Sequence, residues 1–138
     1  MNDLTRMSIE GMNLILYCTH FTECVQFYSE MLGFPIVSNH EWFIEFKIAE
    51  GTYLSCMDEN HTSIKSSGGA GTTLTFKVDD AETVHTMLKD KGAEPSDLKV
   101  RHWAVKSFFL HDPDGYRLEI WSQYYKRPQS KQTEEEPS

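Results

Sequence analysis

The sequence predicts an α+β fold in which one strand–helix–strand–strand–strand unit (βαβββ) is used twice. Three observations lead there. Two stretches begin alike, GMNLILYCTH from Gly11 and GTTLTFKVDD from Gly71. Each runs into residues at helical spacing that stop at a glycine. Each half then reaches a tryptophan and two alternating runs joined by a tight turn. Agreement of glycines, helix stops and tryptophans in the same order marks an internally repeated unit.

The elements follow in order. With Gly11 laid over Gly71, Leu14 falls on Leu74, Leu16 on Phe76 and Cys18 on Val78, and both stretches alternate as strands do. Asn13, Ile15 and Tyr17, with Thr73, Thr75 and Lys77 in the second copy, are expected to face away from the helices. Cys24, Val25, Tyr28, Met31 and Leu32 form the first helical stripe before Gly33. Val84, Met87 and Leu88 form the second before Gly92. Thr19 is expected to cap the first helix, and Asp79 with Glu82 to make a capping box at the second. Strands around Pro35–Asn39 and Ser96–Val100 are only faintly signalled.

EWFIEFKIAEGTYLSCM from Glu41 then lies over HWAVKSFFLHDPDGYRLEIW from His102, with Trp42 on Trp103, Phe46 on Phe109, Leu54 on Leu118 and Met57 on Trp121. The expected organisation is an N-terminal extension (1–10) and one domain over 11–123. Its modules cover about 11–62 and 71–123, joined by the Ser/Gly-rich stretch Ser63–Ala70, and residues 124–138 form a disordered tail.

A length of 138 residues, 39% hydrophobic and 12% aromatic, suits a single globular domain with a real core. The net charge of -8 argues against nucleic-acid or anionic-membrane partners and sets no long-range penalty on a cationic or neutral small ligand. No apolar run reaches the roughly 18 residues that would span a bilayer, and MNDLTRMSIE shows no secretory h-region. Cys18, Cys24 and Cys56 lack CxxC spacing and read as reduced core residues of a cytoplasmic protein.

The Asp112-Pro-Asp-Gly115 segment has proline at the second turn position and glycine at the fourth, the pattern of a type I turn closed by a glycine bulge. Such a turn pairs 112 with 116, which puts Glu119 opposite Phe109 and Trp121 opposite Ser107. Arg117, Glu119 and Trp121 then share a face with Val105 and Trp103. Around the shorter Glu50-Gly51 turn the same logic puts Ser55 opposite Phe46, flanked by Tyr53, Met57, Ile44 and Trp42. Curved sheets of this kind are expected to leave a groove. Its predicted lining is Asn13, Tyr17, Trp42, Phe46, Tyr53, Ser55, Thr73, Trp103, Phe109, Arg117, Glu119 and Trp121. Aromatic walls with a few polar groups suit a ligand pocket better than a closed core, where the polar groups would go unpaired.

QFYSEMLGF (26–34), FKVDDAETVHTMLKDKGA (76–93) and FFLHDPDGYRLEI (108–120) resemble the vicinal oxygen chelate superfamily, which groups glyoxalases, bleomycin resistance proteins and extradiol dioxygenases. The resemblance covers roughly residues 11–123. It implies paired βαβββ modules with curled mixed sheets around a U-shaped groove, often in a homodimer. Metal enzymes of that superfamily take ligands from four equivalent strand positions, here Asn13, Ser55, Thr73 and Glu119. Only Glu119 is a ligand of the expected kind, so no metal and no cofactor are expected. No histidine has metal-pair spacing, though His102 and His111 could reach the groove rim. Glu119 is the lone catalytic candidate, with Arg117 expected to neutralise it.

The favoured reading is a metal-independent binder of a small aromatic or cationic molecule, with an antibiotic among the candidates. The alternative is a metal-dependent glyoxalase-like lyase, dioxygenase or thiol transferase of the same superfamily.

Overall fold

The computed structural model describes residues 5–102 and 104–123. Trp103, the start of the N-terminal extension and the 124–138 tail lie outside the described residues. The chain divides into two compact units, Met1–Gly68 and Gly69–Ser138. The division falls within the Ser63–Ala70 stretch.

In the first unit β1 (Met12–Cys18) leads to α1 (Phe21–Gln26), which continues as a π-helical turn over Phe27–Met31. Strands β2 (Ile36–Asn39), β3 (Phe43–Ala49) and β4 (Thr52–Asp58) follow. The sheet order is β1-β4-β3-β2, with β1 parallel to β4 and the other pairs antiparallel. The second unit repeats this with β5 (Thr73–Lys77), α2 (Ala81–Asp90), β6 (Lys99–His102), β7 (Val105–His111) and β8 (Arg117–Gln123). Its order is β5-β8-β7-β6, again with the first and last strands parallel. The fold is therefore α+β with two four-stranded mixed sheets, each carrying one helix. The helix supplies the crossover that a parallel strand pair requires.

Strand alternation gives each sheet one face toward its helix. Leu16, Cys18, Ile44, Phe46, Leu54 and Cys56 are buried with Cys24 and Tyr28 in the first unit. Leu74, Phe108, Leu110, Leu118 and Ile120 are buried with Ala81 and Leu88 in the second. Both glycine stops hold, since Gly33 and Gly92 lie just past the helix C-caps. Both N-caps fall one residue later than the sequence suggested. Asp80 caps α2, its carboxylate accepting from the Glu82 amide at 3.2 Å and the Thr83 hydroxyl at 2.7 Å. The third helical residue is thus Thr83, and Glu82 completes no box. His20 stands at the start of α1 and its side chain makes no capping bond.

Gly11 has a packing reason. A Cβ there would come 2.8 Å from the Gly51 carbonyl oxygen, which accepts the Met12 amide as β1 joins the sheet. Gly115 has a conformational one. Its φ of 96° closes the β7–β8 hairpin, where Gly115 N–H donates to the Asp112 carbonyl at 3.0 Å and Asp112 N–H to the Tyr116 carbonyl at 2.9 Å. The buried Asp112 carboxylate accepts both the Asp114 and Tyr116 amides at 2.9 Å. Asp112→Ala would leave those donors without this acceptor, at an expected cost of about 1–3 kcal/mol in urea unfolding. Asp112→Asn keeps an acceptor oxygen and should recover most of that loss. An unchanged midpoint for the alanine variant would contradict this role.

Candidate functional site

In the second unit the register is as the turn chemistry predicts. Phe109 pairs with Glu119, Ser107 with Trp121, and His111 with Arg117. On the other side of β8, Thr73 pairs with Arg117, Thr75 with Glu119 and Lys77 with Trp121. The sheet face opposite α2 therefore carries three cross-strand rows. They are Thr73–Arg117–His111, Thr75–Glu119–Phe109 and Lys77–Trp121–Ser107. Phe109, Glu119 and Trp121 are half-buried, while Lys77 and Arg117 are exposed. A fourth strand extends the last row, because β6 pairs Lys99 with Ser107.

The polar groups of this face hold one another. The Thr75 hydroxyl donates to Glu119 Oε1 at 2.9 Å. Arg117 Nε donates to Thr73 Oγ1 at 3.0 Å, and its guanidinium carbon lies 4.6 Å from the centre of the Phe109 ring. Lys77 Nζ lies 5.4 Å from the centre of the Trp121 ring. The expected Arg117–Glu119 ion pair is thus corrected. The β5–β8 register offers Arg117 the Thr73 hydroxyl, Phe109 on β7 offers it an aromatic face, and among the described residues Glu119 has no ion-pair partner.

The first unit places its residues differently from the sequence reading. Ser55 pairs with Glu45, and Phe46 pairs with Leu54 on the helix side. Phe46 is fully buried with its ring 6.0 Å from that of Tyr28. The cause is local. Ala49 pairs with Thr52 as the short turn requires, but the register shifts between Lys47 and Ala49. One extra residue on β3 moves every side chain beyond it to the other face. Glu45 therefore takes the place the sequence assigned to Phe46, and Ile44 likewise turns to the helix side.

The face opposite α1 carries Asn13–Tyr53–Lys47, Ile15–Ser55–Glu45 and Tyr17–Met57–Phe43. Asn13 ties its middle together: its amide nitrogen donates to Glu45 Oε2 at 3.0 Å, and its oxygen accepts from the buried Ser55 hydroxyl at 3.1 Å. Trp42 precedes β3, is 38% exposed, and stacks on His61 with ring centres 5.5 Å apart. With His40, Glu41, Phe43 and Met57 it lines a cavity of about 470 Å³. His85 lies on the opposite side of the second sheet, against Phe108 and the Ser96 carbonyl.

Sequence reasoning did not single out Glu45, His61 or Lys99. Alternation counted from Phe43 would have found Glu45. The weak signal of β6 hid Lys99.

The glyoxalase/bleomycin resistance protein/dioxygenase superfamily profile matches residues 12–120. The chain belongs to that superfamily. Among solved structures it is similar to a lactoylglutathione lyase from Agrobacterium tumefaciens, at 20% identity and a TM-score of 0.68, covering 80% of this chain and 91% of that one. It is likewise similar to TnmS3, an antibiotic binding protein from Streptomyces sp. CB03234, at 18% identity and a TM-score of 0.67, covering 86% and 97%. A sequence relative is the uncharacterized protein YraH of Bacillus subtilis (strain 168), 27% identical over 121 residues, covering 77% of this chain and 92% of that protein. At these identities the structural likenesses show the fold alone.

The metal that some members of the superfamily carry finds poor donors here. In the first unit the Asn13 oxygen is engaged by Ser55 and its nitrogen by Glu45. In the second unit the Thr73 oxygen accepts from the Arg117 guanidinium, a permanent cation that repels a divalent ion at that oxygen. Neutral amide and hydroxyl oxygens already committed to the protein do not make a transition-metal site.

Proposed function

We propose that this protein is a metal-independent small-molecule binder whose ligand lies against the open face of the second sheet. The observation that carries the reading is the half-buried pair Trp121 and Phe109 on one wall, with the Thr75-held Glu119 carboxylate directly across from Phe109 and one row from Trp121. Two partly exposed aromatic rings among fixed polar groups offer stacking area and orientation together. An antibiotic is a candidate ligand because TnmS3 is described as an antibiotic binding protein. The reading includes a homodimer, which the family resemblance implies.

The lyase among the structural relatives keeps an enzymatic reading in view. Metal content separates the two. The protein as purified is expected to hold well under one zinc, nickel, manganese or iron per chain by elemental mass spectrometry. Its ligand affinity in calorimetric titration against a panel of aromatic antibiotics should not change with EDTA. About one metal per chain, lost in Glu119→Gln, would instead establish the metal enzyme. The absence of any ligand from the panel, together with turnover in the presence of added metal, would have the same consequence.

A further inference from the structure

The bulk charge of -8 favours cations, but the open face of the second sheet is built the other way. Its cross-strand rows hold Lys77, Lys99 and Arg117 against a single carboxylate, Glu119. All three cations are exposed. Among the described residues none of them has an acidic partner, unlike Lys47, which pairs with Glu50, and Lys106, which pairs with Glu82. Lys77 and Lys99 stand in the same row as Trp121, on either side of it, while Arg117 lies over Phe109. A cationic ligand would have to displace Lys77 and Arg117 from the very rings it would use, against like-charge repulsion. A ligand with an acidic group meets two or three cations that, among the described residues, have no acidic partner.

We infer that the ligand of this face is an aromatic ring system carrying an anionic group, which stacks on Trp121 and Phe109 while Arg117, Lys77 and Lys99 pair with the anion. This rests on the binding reading above and names the ligand class for the same wall. Glu119 then acts as a selectivity element. Its carboxylate is set one row from each cation and opposes an anion placed over the middle of the sheet.

Two probes with the same rings test the charge separately from the stacking. Anilinonaphthalene sulfonate is anionic, and N-phenyl-1-naphthylamine is its uncharged parent. Both brighten on binding, so each can be titrated directly. Exposed ion pairs are individually modest, so Arg117→Gln and Lys77→Gln should each lower the ratio of anionic to neutral probe affinity about two- to fivefold. The double variant should lower it about tenfold. Glu119→Gln keeps an oxygen for Thr75 and should raise the ratio. The preference should shrink as salt is added.

A ratio that stays fixed in these variants, while Trp121→Ala still weakens both probes, overturns the anionic class and leaves the binding wall standing. If Trp121→Ala changes neither probe, or if neither probe binds at all, the wall itself is wrong and the inference falls with it.

Discussion

Trp121→Ala is expected to remove most of the affinity for any aromatic ligand of this protein, about 2–4 kcal/mol or roughly thirtyfold or more. Trp121 sits in the middle of the row Lys77–Trp121–Ser107, so its ring is held in place by strands on both sides rather than by a loop. A rigid indole gives large contact area for little lost side-chain freedom, which is why such residues dominate binding energies. Folding should survive, because the ring is only half-buried and its contact with Lys77 is a surface one, worth about 0.5–1 kcal/mol. Calorimetric titration measures the first quantity and urea unfolding the second. If the variant loses several kcal/mol of stability while a ligand binds it as tightly as before, Trp121 is a core residue and the site lies elsewhere.

The second unit was legible because its hairpin carries its own register. Asp112, Pro113 and Gly115 dictate one turn geometry, and everything from Ser107 to Trp121 follows by counting. The β7 and β8 members of the rows proposed for the ligand needed no tertiary information beyond that, whereas the β5 and β6 members did. The repeat was legible for a related reason, because βαβββ connectivity demands a helix between the parallel strands and leaves its glycine stops in the same places.

What stayed hidden was hidden by irregularity. The Glu50-Gly51 turn was read correctly at its tip, where Ala49 does meet Thr52, but no residue in KIAEG announces the bulge that follows. Laying the two halves over each other gave no protection, because the overlay assumed the same unbroken pairing as the turn count. Side-chain partners were also out of reach. The choice of Arg117 between Glu119 and Thr73 depends on how β5 is staggered against β8, and Lys99 depends on a short edge strand with little hydrophobic signature.

Phe46→Ala separates the two registers of the first unit and should be among the most destabilising single changes available, costing about 3–5 kcal/mol. In the observed pairing the ring is fully buried on the helix side against Tyr28, so truncation leaves a cavity that Leu54 and Cys56 cannot close without moving the strands. Set against the about 5–15 kcal/mol that usually holds a domain together, such a loss is a large share of the whole. Phe46→Leu keeps most of the volume and should cost less. Glu45→Gln should move the unfolding midpoint little, because Glu45 lies on the open face and the amide can still accept from Asn13. The unbulged pairing requires the reverse, with Phe46 lining the ligand side and the Glu45 carboxylate driven into the core. Urea unfolding of the three variants decides it. A Phe46→Ala protein that unfolds like the wild type, beside a Glu45→Gln protein whose stability changes sharply, would restore the register that the short turn alone suggests.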